Sequence, residues 1–197
     1  MSCALQALLA TTLLASGLWS GLWPGSAMSN PLTSLYTTLE LSACKPAGGH
    51  PDGDTWLCDG LEGYPVRLAM GDQRTFVSIG SDADKHRSAS QTLAPFNSVF
   101  SEQSTRATLE WRFVRRNGRS VPYATILRYY TSRDRQKGEV LVVTRVAAGQ
   151  SCHVAYIDAL ANPGAIASAR KAADSLARTF DCQREPEIKR GNGTSPM

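Results

Sequence analysis

The chain has 197 residues, of which 42% are hydrophobic and 19% charged. That is enough apolar material for one domain with a true core, and too much for a disordered chain. The formal charge of +4 is mild and neither selects nor rejects a polyanionic partner on its own.

Residues Ala4 to Ala27 carry no charged side chain. The apolar run 7–16 reads as the centre of a secretory signal, and Gly25-Ser26-Ala27 supplies small residues for cleavage. The expected layout is a signal peptide over 1–27, one α+β domain over 28–182 and a disordered polar tail over 183–197. The basic residue that usually precedes such an apolar run is missing, since Lys45 is the first basic side chain. Three alternatives to cleavage therefore stay open: an uncleaved anchor, a misplaced start, and initiation at Met28, which would give a cytosolic protein. The Ser, Thr and Gly content makes the segment a poor span, so no stable membrane span is expected once a signal is removed.

Leu39, Leu41 and Ala43 alternate with polar residues, as in a half-buried strand. Residues 46–53 form a dense turn cluster, and Thr55 to Cys58 reads as a return strand. Short strands are expected over 65–70 and 75–79. The stretch from Gly80 to about Thr105 reads as a long irregular loop with a short helix near Asp84–Ser90. A loop of that length in a compact domain is functional or wrongly assigned. Thr108 to Arg116 is a strong strand, Asn117-Gly118 is a hairpin turn, and Ser120 to Tyr130 is its partner. A polar turn over 133–138 leads to a Val-rich strand, 139–147. Residues 152–159 form the last strand, and Asn162-Pro163 opens a helix running to Phe180. Ile166, Ala169, Ala173, Leu176 and Phe180 make its apolar face. Arg170–Asp174 and Asp174–Arg178 are spaced as i,i+4 pairs.

Without the leader, four cysteines remain: Cys44, Cys58, Cys152 and Cys182. An even count in an exported chain favours two bridges with three possible connectivities. The strand from Cys152 advances roughly 25 Å at ~3.3 Å per residue. The helix returns roughly 27 Å at ~1.5 Å per residue. Folded back across the sheet, it brings Cys182 beside Cys152, which selects Cys152–Cys182 and leaves Cys44–Cys58 across a hairpin. No Cys-x-x-Cys spacing points to zinc.

The fold expected is therefore α+β: a mainly antiparallel meander sheet with a C-terminal helix packed on one face, stapled by disulfides. A two-residue turn at Asn117-Gly118 places Trp111 opposite Ala124 and Leu109 opposite Ile126. The Leu109/Trp111/Phe113 face is then the one the helix covers. Arg112, Tyr123, Tyr129 and Tyr130 are left to line the uncovered face, where Tyr and Arg are favoured interface anchors.

No Gly-x-Ser-x-Gly, phosphate loop, His-Glu-x-x-His or dinucleotide fingerprint is present. His153 is a candidate binding residue on the face away from the helix, and Asp158 is too far along the strand to orient it. His50 and His86 have no metal spacing. Asp52, Asp54, Asp59 and Glu62 fail the calcium-loop pattern and read as a solvated turn. No catalytic residue, metal or cofactor is expected. The arginines around Asn117 and the basic loop Arg133/Arg135/Lys137 fall at opposite ends of an antiparallel sheet, so no nucleic-acid partner is expected. Asn192-Gly193-Thr194 matches a glycosylation acceptor by chance in the tail.

Four segments, 71–78, 91–97, 109–112 and 152–163 (Cys-His-Val-Ala-Tyr-Ile-Asp-Ala-Leu-Ala-Asn-Pro), together resemble a group of small uncharacterised exported (periplasmic) proteins of Gram-negative bacteria. The resemblance covers most of the mature chain. It implies export and an ordered 91–97 loop, and transfers no activity. The expected function is a non-catalytic periplasmic or secreted binding or interaction module, its partner an envelope protein or a small ligand. Two alternatives are a small periplasmic hydrolase and a structural envelope protein. The hydrolase would have its site between the 80–105 loop and the sheet, and would use His86 or His153 with a carboxylate.

Overall fold

The computed structural model describes residues 33–50, 53–160 and 162–197. The expected signal peptide over 1–27 lies outside them, as does Asp52. The chain is mostly β, built as two antiparallel systems rather than the one sheet expected. The first system orders β2 (Lys45–His50), β3 (Gly53–Leu61), β4 (Tyr64–Gly71) and β5 (Arg74–Ile79) in chain order. The second places β1 (Ser34–Glu40) beside β7 (Arg106–Arg116), then β8 (Arg119–Arg133), β9 (Gln136–Ala147), β10 (Gln150–Asp158) and β11 (Glu187–Lys189), with the short β6 (Phe96–Ser98) on β8. β11 runs parallel to β10.

Strand alternation sorts the large sheet into two buried faces. Leu39, Leu109, Trp111, Leu127, Tyr129, Val140 and Val142 cluster with Val66, Leu68, Val77 and Ile79 of the small sheet. Tyr123, Ile126, Leu141, Val143, Cys152 and Ile157 cluster with Ala165, Ala169, Ala173 and Phe180 of the helical segment. The expected cover is thus corrected: the Leu109/Trp111 face meets the second sheet, and the helix lies over the face of Arg112 and Tyr123. The cause is a bulge. From the Asn117-Gly118 turn the register runs through Phe113 opposite Pro122, then skips Tyr123 to put Arg112 opposite Ala124 and Trp111 opposite Thr125. Pro122 has no N–H to give the ladder, and the extra residue beside it shifts the strand by one. One step of register moves a whole set of side chains to the other face.

The helix is shorter than expected, α1 (Ala165–Ala172) followed by a π turn over Ala173–Ala177. Its buried side is alanine, at positions 165, 169, 172, 173 and 177, while Ile166 is exposed. Small side chains let the helix approach the sheet closely, and the wider π turn rotates the face so that consecutive alanines 172 and 173 both turn inward. Asp174 also leaves its expected i,i+4 partners and reaches the sheet instead. The two bridges are formed as expected, with Cα separations of 5.7 Å for Cys152–Cys182 and 4.3 Å for Cys44–Cys58.

The 183–197 segment is ordered, which corrects the expectation of a disordered tail. Asp158 is fully buried and, among the described residues, in no ion pair, and the tail supplies its donors. The Ser195 backbone N–H donates to Oδ2 and the Ser195 hydroxyl to Oδ1, both at 2.7 Å, and Leu160 N–H donates to Oδ1 at 3.1 Å. Thr131 and Gln136 donate to the Pro196 and Thr194 carbonyls. A Cβ on Gly193 would sit 2.1 Å from the Asp158 carboxyl carbon, so the backbone approaches there only as glycine. Asn162, expected to cap the helix, instead donates to the carbonyls of Asp158 and Arg190 and ties the tail down.

Candidate functional site

α1 and its π turn leave part of the large sheet's helix-side face uncovered. Phe96 pairs with Ser132, Ser98 with Tyr130, and Tyr130 with Glu139, so all five side chains stand on that face. They floor a cleft of about 520 Å³, walled by Phe100, Ser101, Glu102, Gln103 and Leu160. The volume lies within the roughly 300–1,000 Å³ typical of small-molecule sites. Tyr130 also lines a second cavity of about 280 Å³ bounded by Tyr36, Val99, Leu127, Arg128 and Ile166. The second cavity has a clear origin. β7 pairs with β8 only as far as Leu109–Leu127, and β6 takes over at Ser98–Tyr130. The sheet is split at that handover. Phe96, Leu160, Tyr36 and Ile166 are all large apolar side chains left exposed around the two cavities.

The charged residues that line the two cavities are matched. Arg128 pairs with Glu139 between the two cavities. Lys137 pairs with Glu102 at 2.6 Å, Arg106 with Glu40 at 2.9 Å, and Arg170 with Glu110 at 2.8 Å. Among the described residues no histidine or cysteine lines either cavity. The surface offers aromatic area, hydroxyls and amides. It suits binding of an amphipathic molecule without a large net charge.

The expected binding residues divide between two places, neither of them this cleft. Arg112 and Tyr123 come together under the helix. The Arg112 guanidinium makes a bidentate pair with Asp174 at 2.9 Å to each oxygen, and the Tyr123 hydroxyl donates to the same carboxylate at 2.5 Å. Burial, and then the Asp174 carboxylate, push the Tyr123 phenol up to about 12. Burial works against the Arg112 charge, but Asp174 outweighs it and the guanidinium is held above its ordinary range. The pair joins the helix to the sheet, with Arg112 nearly buried and Asp174 half exposed. Tyr129 lies between the two sheets, 1% exposed, with its hydroxyl unpartnered and its acidity suppressed by burial. Adjacent strand residues point to opposite faces, so Tyr129 and Tyr130 could not both have lined one surface. Tyr130 is the one on the cleft.

His153 is also interior. It is 1% exposed, its Nδ1 is 2.9 Å from the Tyr156 hydroxyl, and its backbone N–H donates to Gln91 Oε1. Burial brings the imidazole down to about 3, so it is neutral at physiological pH. His86 packs with three fully buried serines, Ser78, Ser88 and Ser151. Its Nδ1 is 3.0 Å from the Ile79 carbonyl and 3.1 Å from Ser151 Oγ. Neither histidine has a carboxylate among these partners, and neither lines the cleft between the 96–103 segment and the sheet. Gln91 and Asn97 make side-chain bonds that fix their loop to β10 and β5.

Among the described residues no three metal-binding side chains are grouped, and no helix is long and apolar enough to cross a membrane. No family model, no curated protein and no solved structure matches the chain.

Proposed function

We infer that this chain is a non-catalytic binding module of the periplasm, and that its ligand is a small amphipathic molecule held in the cleft floored by Tyr130. The observation that carries the reading is the exposed, charge-matched, aromatic cleft on a sheet face that is otherwise buried. An exposed apolar concavity of this kind is what a binding site requires and what a purely structural surface avoids. We read β7 to β10 as a meander with the helix laid on one face, which gives the cleft a rigid floor. The address rests on two bridges of a kind that persist in oxidising compartments, on the uncharged leader, and on the likeness to exported Gram-negative proteins.

Native mass spectrometry of the mature, bridged protein after incubation with a small-molecule extract of the cell envelope tests the reading. A discrete adduct is expected, lost in Tyr130→Ala and Phe96→Ala and kept in Ile188→Ser, whose residue lies outside the cleft. No adduct, or one that persists in both cleft variants, would overturn it.

A further inference from the structure

The hairpin tip of β7 and β8 reads from its sequence as a solvated basic turn. In three dimensions it joins a third, separate pocket of about 200 Å³ at the C-terminal end of the helical segment, lined by Arg116, Arg145 and Arg178 with Tyr123, Tyr64 and a ring of Val, Pro and Ala. Among the described residues no Asp or Glu lines it, and none of the three arginines is in an ion pair. The nearest acid through Tyr123 is Asp174, which Arg112 already neutralises. Arg145 gives one Nη to the Ala177 carbonyl at 2.7 Å, but its Nε is buried with no partner. A buried unpaired donor on a charged group is costly, and such a group in a native fold points to something that satisfies it. Arg116 stands directly opposite Arg119 across the hairpin, an arrangement of like charges that is unfavourable without a counter-ion. Arg178 is held over the Tyr123 ring, 5.8 Å from its centroid, rather than by an acid.

We propose that this pocket is a phosphoryl-binding site, distinct from the cleft, in which Arg116, Arg145 and Arg178 converge on one phosphate group. Three guanidinium groups with no acid match a dianionic phosphate better than a monocarboxylate, which would leave most of the charge uncompensated. The pocket's small size limits the buried part to the phosphoryl group and a few attached atoms. The group has two possible sources, a soluble phosphate ester or the headgroup of an anionic lipid lying against the exposed arginines 115 and 119.

Titration calorimetry of the bridged protein with inorganic phosphate at low ionic strength tests the site, with vesicles containing phosphatidic acid, a phosphomonoester, as the second arm. The expected result is saturable one-site phosphate binding, weakened about tenfold or more in Arg116→Gln and in Arg178→Gln, and unchanged in Arg133→Gln at the other end of the sheet. Both weakening variants alter exposed side chains, so folding is retained, as circular dichroism should confirm. Vesicle binding displaced by phosphate would assign the headgroup as the source, and phosphate binding without vesicle binding would assign a soluble ester. Absence of saturable phosphate binding, or equal binding in wild type and both pocket variants, would overturn the proposal.

Discussion

Ser195→Ala removes a single hydroxyl from what the sequence presents as a loose tail, and the structure makes it expensive. That hydroxyl donates to Asp158 Oδ1 at 2.7 Å and accepts from the Glu139 backbone N–H at 3.1 Å. A hydrogen bond to a charged acceptor contributes about 1.5–3 kcal/mol, and a backbone donor left unpaired adds about 1 kcal/mol more. Asp158 is fully buried, so water does not replace the lost donor. The expected loss is therefore about 2.5–4 kcal/mol, a large share of a typical domain's stability. Urea unfolding with the bridges intact measures it. Deleting residues 187–197 should cost more, because it also strips the Ser195 backbone N–H and β11 from β10. If Ser195→Ala lies within about 0.5 kcal/mol of wild type, as an ordinary surface substitution would, and the deletion does likewise, then the tail is not part of the fold.

Four further outcomes follow from the same geometry. Replacing Cys152 and Cys182 by serine should lower stability by about 3.5 kcal/mol, and replacing Cys44 and Cys58 by about 3 kcal/mol, from the loop lengths they close; denaturation with and without reductant checks both. Tyr129→Phe should leave stability unchanged or raise it by about 1 kcal/mol, because the hydroxyl it removes is buried without a partner. His153 binds its proton far less readily folded, at about 3, than at its ordinary 6.5. Its contribution is therefore intact above the ordinary value and is lost as pH falls from there toward about 3. Wild type should lose about 1.4 kcal/mol per pH unit in that window relative to His153→Gln, read from paired urea curves; parallel pH profiles would refute a neutral buried imidazole.

The strands of the large sheet are legible because β7 alternates, Asn117-Gly118 marks its hairpin with β8, and β9 and β10 are rich in β-branched and aromatic residues; the bridges are legible because strand and helix lengths match. What was not legible has specific causes. β2 contains Pro46, Gly48 and Gly49, all turn residues by composition, yet it pairs with β3. The turns at Asp72-Gln73 and Asp134-Arg135 place non-glycine residues at positive φ, so no Asn-Gly or Asp-Gly signal announced how tight they are. The tail's Gly, Asn and Ser read as disorder, although those residues are what an irregular segment needs to approach and satisfy a buried carboxylate. Of the candidate site, the sequence named Tyr130 among the sheet aromatics; the 80–105 loop entered only through the hydrolase alternative with His86 or His153, neither of which lines the cleft. The sequence could not choose Tyr130 over Tyr129 until the Tyr123 bulge had set which face each occupies; Arg112 and Arg128 share the helix-side face, and only the helical segment bound to Arg112 through Asp174 sets them apart. Phe96 and Leu160 carried no signal, since an exposed apolar residue in a loop is ordinary until a cavity is seen beside it.

Amide shift mapping tests the binding account most directly. The isotope-labelled, bridged protein would be titrated with the envelope small-molecule fraction that gives the mass adduct. Saturable shifts gathered on Phe96, Ser98, Tyr130, Glu139 and Leu160, with β2 to β4 unmoved, are the predicted result. Shifts absent from those five positions, or spread evenly over both sheets, would contradict it.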